Sequence, residues 1–129
     1  MSKISWPFKS GDTGDQLVAE IRRLTKVEHF DLAVVLGSGW SAAAEIGQIL
    51  GAFDYCDWSC FPPDQIAGHG GQLIAVQYSS CNILFFSGRF HCYQSLSAFE
   101  AAFPVRLAAS LGCSRLLLTC ATGGINPNY

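Results

Sequence analysis

Arg89, His91 and Tyr93 stand two residues apart in the run Ser87-Gly88-Arg89-Phe90-His91-Cys92-Tyr93. An extended backbone there would turn all three side chains to one side and make it cationic and rich in hydrogen-bond donors. Arginine is always charged and presents a planar fork of N–H groups suited to phosphate or carboxylate. Two further stretches run from apolar residues straight into small polar ones: Leu32 to Gly39, ending Gly37-Ser38-Gly39, and Leu116 to Gly124, ending Ala121-Thr122-Gly123-Gly124. Three such ends gathered at one edge of a sheet would form a pocket for an anion and a polyol. Taken singly, each residue has a plainer reading. Arg89 fits a salt bridge at a sheet rim equally well, and His91 fits a hydrogen-bonded structural histidine.

The surrounding chain supplies elements to position these ends. Leu17, Val18, Ile21 and Leu24 fall on one face of a helix that Asp12 or Thr13 could cap. Leu32 to Leu36 is an unbroken apolar run, as expected of a strand covered on both faces. Ser41 to Leu50 resumes helical spacing, so strand, glycine turn and helix would aim backbone N–H groups and a positive helix end at an anion. Phe53, Tyr55, Trp58 and Phe61 precede Pro62-Pro63 and suggest a short strand followed by an irregular loop. His69 lies among Gly68, Gly70 and Gly71, either as an exposed loop residue or in a flap that closes over a ligand. Leu73 to Tyr78 and Ile83 to Ser87 read as a hairpin. Ser95 to Leu111 reads as a long helix, kinked or restarted at Pro104 and ended by Gly112, with Arg106 balancing Glu100 or a carbonyl. Arg115 to Cys120 reads as another buried strand.

Composition narrows the class. The chain has 129 residues, half of them hydrophobic and 14% charged, with a formal net charge of −2. This suits a core-rich α/β domain and argues against a nucleic-acid footprint. No apolar stretch approaches the length of a membrane span and no signal peptide is evident, so a cytoplasmic location is expected. The six cysteines include no Cys-x-x-Cys pair and no zinc-type spacing with histidine. They are expected to be reduced and to pack as small apolar residues.

The order Gly37-Ser38-Gly39, Gly68-His69-Gly70-Gly71, Gly88-Arg89-Phe90-His91-Cys92-Tyr93, Phe103-Pro104-Val105-Arg106 and Ala121-Thr122-Gly123-Gly124-Ile125-Asn126-Pro127 resembles the N-terminal half of trimeric, inosine- and guanosine-cleaving purine nucleoside phosphorylases. The resemblance covers essentially the whole chain after residue 30. It implies an α/β/α layered domain around a mixed, partly barrel-like sheet. It also implies reversible phosphorolysis of purine nucleosides to free base and ribose 1-phosphate, with inorganic phosphate as co-substrate and no metal or organic cofactor. By position, it makes Ser38, Arg89 and His91 phosphate ligands, with Arg89 and His91 catalytic and Ala121 adding a backbone N–H. His69 matches a flap histidine near phosphate, and Tyr93 matches the tyrosine that packs on ribose. The expected partners are a purine nucleoside and phosphate, within a homo-oligomer that is a trimer in the full-length family.

The expected organisation is a single partial domain over residues 1–129, with 1–30 a leading arm and helix and 31–129 the sheet bearing the phosphate and ribose half of the site. Cys120 and Thr122 depart from the family's Asn-Ala-Ala-Gly-Gly loop, Gln94 replaces a common glutamate, and Ala67 a common proline. The family's base-recognition residues would lie beyond Tyr129, so the chain alone is expected to be inactive. A methylthioadenosine or other nucleoside phosphorylase, or a degenerate phosphate-binding or nucleoside-binding protein, is the alternative.

Overall fold

In a computed structural model of the chain, residues 14–62 and 71–129 are described. Alternating apolar side chains build a mixed five-stranded sheet in the order β2-β3-β4-β1-β5, with strands Leu32–Leu36 (β1), Gln48–Asp54 (β2), Gln72–Tyr78 (β3), Cys81–Ser87 (β4) and Arg115–Leu118 (β5). The inner strand β1 pairs in parallel with both β4 and β5, whereas β2, β3 and β4 are joined antiparallel. This is the expected α/β architecture around a mixed sheet. The sheet is open across the described residues rather than closed into a barrel.

Strand periodicity divides the core in two. Ala33, Val35, Leu73, Ala75, Leu84 and Phe86 share one buried cluster with Leu17, Val18 and Ile21 of helix α1 (Asp15–Thr25) and with Phe103, Leu107 and Ala108 of helix α3 (Phe103–Ser110). The alternate residues Val34, Leu36, Val76, Ile83 and Phe85 form a smaller cluster on the other face, roofed by Ala44. Each fully buried aliphatic side chain contributes about 1.5–3 kcal/mol, so the larger face carries most of the stabilisation.

Several expectations are corrected here. Helix α1 has Gly14 at its N-cap with no side-chain cap, and Leu24 is exposed at its edge; Asp12 and Thr13 lie outside the described residues. Ser41–Ile46 is a short 3-10 turn, and Ile49 and Leu50 belong to strand β2. The cause is Gly47, where an added Cβ would lie 3.0 Å from both the Gln77 carbonyl carbon and a Val76 methyl. Backbone this close to β3 is held by the sheet, and tertiary contact overrides helical spacing. The segment from Ser95 begins as helix only at Ala98–Ala101 (α2), where Ser97 and Glu100 cap each other reciprocally. The chain restarts at α3 with Pro104 in the first turn, where a missing N–H costs nothing. Arg106 donates to the Phe99 carbonyl at 2.7 Å and lies over the Phe99 ring, the expected structural role.

Strand β5 is not buried. All four residues are exposed, with Leu118 at 63%: among the described residues β5 is the sheet's edge with β1 as its one neighbour, and neither buried cluster extends over its faces. The cysteines are all free, as expected, but only Cys60 is buried; Cys56, Cys81, Cys92 and Cys120 are exposed and Cys113 is half-buried. The packing role assigned to them holds for Cys60 and for Cys113, which packs against the larger cluster.

Candidate functional site

The carboxyl ends of β1 and β4, with the chain leaving β5, surround a cavity of about 510 Å³. It is lined by Ser38, Arg89, His91, Tyr93 and Ala121 together with glycine and serine backbone. Its size lies within the range of small-ligand sites. Five of the six residues singled out from the sequence therefore converge, and the sixth, His69, lies outside the described residues.

Each wall has a local cause. After β1, a tight turn is closed by the Trp40 N–H donating to the Gly37 carbonyl at 3.3 Å. Among the described residues the amides of Ser38 and Gly39 have no protein acceptor. The turn thus offers backbone donors directly, in place of the helix end expected from the sequence, since the following 3-10 turn is only six residues long.

The Arg89 wall is held from behind. Tyr55 is buried, stacks on Phe61 with ring centroids 4.2 Å apart, and packs against Phe90 at 5.3 Å. Its hydroxyl donates to the Gly88 carbonyl at 3.1 Å. Burial raises the Tyr55 phenol far above its usual range, so it stays a neutral donor. On the other side, Arg89 Nη1 donates to the Thr119 carbonyl at 3.0 Å. Among the described residues no carboxylate pairs with Arg89, which leaves its charge uncompensated and rules out the rim salt bridge within that set.

His91 and Tyr93 are brought together by a different route from that expected. The extended backbone ends at His91, and Cys92–Gln94 forms a 3-10 turn. The two rings stack in parallel, with centroids 4.6 Å apart and planes inclined by 12°. Gln94 closes this turn: its side-chain oxygen accepts from the His91 N–H at 2.9 Å, and its own N–H donates to the His91 carbonyl at 3.0 Å. A carboxylate could accept in the same way, so the change to Gln94 leaves this geometry intact. Tyr93 is 79% exposed and forms the open rim.

Sequence reasoning missed two supporting residues, Tyr55 and Thr119. Thr119 Oγ1 accepts from the Gly37 N–H at 2.7 Å and donates to the Val35 carbonyl at 2.9 Å. Its position directly after an apolar strand, where a hydroxyl can bridge to the neighbouring strand, is the one signal that could have found it. Among the described residues no group of three or more metal-ligating side chains is assembled.

The open mixed sheet, with a donor-lined cavity at the ends of its parallel strands, defines an α/β protein with a small-ligand site at its strand ends. The purine nucleoside phosphorylase of Schistosoma mansoni in complex with acetate superposes with a TM-score of 0.75 and 28% identity, over 88% of this chain and 42% of that one. The same enzyme in complex with inosine gives a TM-score of 0.73 and 28% identity, over 88% of this chain and 39% of that one. No protein-family model matches the sequence. Among curated relatives, purine nucleoside phosphorylase 1 of Geobacillus stearothermophilus is 36% identical over 99 residues, 76% of this chain and 36% of its own length. The Rattus norvegicus purine nucleoside phosphorylase is 35% identical over 115 residues, 88% of this chain and 39% of its own length. The chain belongs to the purine nucleoside phosphorylase family and spans somewhat more than a third of the length of these relatives.

Proposed function

We propose that the chain forms the phosphate- and ribose-binding part of a purine nucleoside phosphorylase, which cleaves purine nucleosides with inorganic phosphate to free base and ribose 1-phosphate. The observation that carries this reading is the convergence of Ser38, Arg89, His91, Tyr93 and Ala121 on one cavity. Cleavage of the glycosidic bond develops oxocarbenium character at the anomeric carbon. The attacking phosphate is already an anion, so no residue has to create the nucleophile. The protein's work is to hold that anion on the correct face at attacking distance, where its charge also favours the developing cation.

Arg89 supplies the fixed fork, with one N–H anchored on Thr119 and the rest of the guanidinium available to oxygen. His91 adds a donor whose ring is braced by Tyr93, while Ser38, its backbone N–H and that of Ala121 form a neutral cradle. Tyr93 offers an aromatic face and a hydroxyl to the sugar, and His69 is assigned to the phosphate side by family resemblance. The exposed apolar edge of β5 supports assembly with further polypeptide, a homo-oligomer in this reading. Among the described residues no helix is long and apolar enough to cross a membrane. A cytoplasmic location is part of the proposal, favoured by six cysteines without a disulfide among them.

The test is calorimetric titration of the chain with inorganic phosphate, followed by hypoxanthine release from inosine with and without phosphate. The protein is prepared from a host lacking its own phosphorylase, with Arg89→Ala as control. Phosphate binding that disappears in the control is expected. A wild-type chain that binds no phosphate, or an Arg89→Ala chain that binds it equally well, overturns the reading. Binding without hypoxanthine release would identify a binding portion whose chemistry needs additional residues.

A further inference from the structure

We infer that the Thr119 hydroxyl is a positioning element for the anion site, locking the three strand ends into the arrangement that phosphate requires. The inference rests on the phosphate-site reading above and deepens it by naming a residue that does not line the cavity. Thr119 sits immediately after β5 and makes four hydrogen bonds with different purposes. Its N–H donates to the Val35 carbonyl at 3.0 Å, and its hydroxyl donates to the same carbonyl at 2.9 Å. The hydroxyl oxygen accepts from the Gly37 N–H at 2.7 Å. Its own carbonyl accepts from Arg89 Nη1 at 3.0 Å.

One residue therefore ties the end of β1, the start of the Gly37-Ser38-Gly39 turn, the exit from β5 and the guanidinium that follows β4. The side chain is responsible for the link to the turn. Without the hydroxyl, Gly37 N–H loses its acceptor just before the two amides that face the cavity. The attachment of Thr119 to Val35 is also reduced to its backbone bond. Among the described residues β5 is an exposed edge strand, and none of them forms an outer strand that restrains the loop carrying Ala121. A small outward drift would carry the Thr119 carbonyl, and Arg89 with it, away from Ser38. The hydroxyl acts through Gly37 and Arg89 and does not touch phosphate.

Two substitutions separate this from ordinary stabilisation. Thr119→Val keeps shape and β-branching but removes the hydroxyl, whereas Thr119→Ser keeps the hydroxyl and loses a methyl. Phosphate titration of the 129-residue chain at fixed temperature, beside thermal melts of each variant, reads the two effects independently. Thr119→Val loses both hydroxyl bonds, and loss of the one to the Gly37 N–H, which carries the link to the turn, is expected to weaken phosphate binding about fivefold to tenfold. Thr119→Ser should bind within about twofold of wild type, even if its melting temperature falls.

Thr119→Val binding phosphate like wild type, while Arg89→Ala does not bind, overturns the positioning role and leaves the site reading standing. Wild type failing to bind overturns both. If Thr119→Val does not fold, Thr119→Ser decides alone: phosphate affinity retained with the hydroxyl supports the role, and affinity lost with only the methyl removed overturns it.

Discussion

Gly37→Ala tests the packing of the strand ends most directly. A Cβ at residue 37 would lie 2.8 Å from both Cys120 Cα and the Thr119 carbonyl oxygen, about 0.6 Å inside the 3.4 Å at which ordinary contact begins. Both obstacles are backbone, so no side-chain rotation relieves them. The chain leaving β5 must move outward, and the direction is open because β5 has no outer neighbour among the described residues. Movement of this size strains the Gly37 N–H to Thr119 hydroxyl bond and the Thr119 N–H to Val35 carbonyl bond, now 2.7 Å and 3.0 Å. Overpacking of this kind costs about 1–3 kcal/mol and each weakened hydrogen bond about 0.5–1.5 kcal/mol. The edge can yield, so we expect a loss of about 2 kcal/mol, which for a chain of this size lowers the melting temperature by roughly 6–10 °C. Circular dichroism melts measure the first effect, and phosphate titration measures the accompanying displacement of Arg89. A variant that melts within 1 °C of wild type and binds phosphate equally well would refute the close approach of the two strand ends on which the site depends.

Other perturbations probe the supports behind the site. Tyr55→Phe removes the donor to the Gly88 carbonyl and is expected to lower stability by about 1 kcal/mol, read from urea unfolding midpoints; an unchanged midpoint would show that bond to be idle. Burial holds the Tyr55 phenol protonated well above the ordinary range. Its ionisation, followed by absorbance, should therefore coincide with alkaline unfolding rather than precede it. Burial, and secondarily the Asp31 charge, pushes the Cys113 thiol up to about 11. The thiolate is the reactive form, so at pH 8 Cys113 should alkylate more slowly than Cys56 or Cys81, as peptide mass spectrometry would reveal. The folded-state value is raised, so the stability Cys113 contributes is complete below about pH 9 and is lost as pH rises towards 11. Cys113→Ser should flatten that part of the stability profile, and an unchanged slope would assign it elsewhere.

What was legible in the sequence follows from which interactions are local. Strands β1 and β4 were read correctly because both are central and covered, and continuous apolar runs record that burial. Strand β5 has the same composition and none of the burial, because its place at the edge is a property of sheet order that a leucine run does not encode. Gln48 to Leu50, the first three residues of β2, read as the end of a helix because alanines and isoleucines at suitable spacing are ambiguous, and the contact that decides it, Gly47 against Gln77, spans thirty residues of sequence.

The site shows the same division. Arg89, His91 and Tyr93 announce themselves by chemical type, yet their geometry departs from simple alternation: Tyr93 reaches His91 through a 3-10 turn closed by Gln94. The residues that hold Arg89 in place were invisible, since Tyr55 looked like one more core aromatic and Thr119 like the polar end of a strand. Arg89 takes its orientation from a carbonyl thirty residues away and its backbone support from a phenol thirty-three residues away. Functional residue types are therefore chosen at the strand ends, while their precision is set by hydrogen bonds between segments remote in sequence. A guanidinium at an open edge has many rotamers in water. The Thr119 carbonyl reduces them, and the Tyr55 hydroxyl fixes the Gly88 backbone from which the side chain starts, which would lower the ordering cost of binding an anion there.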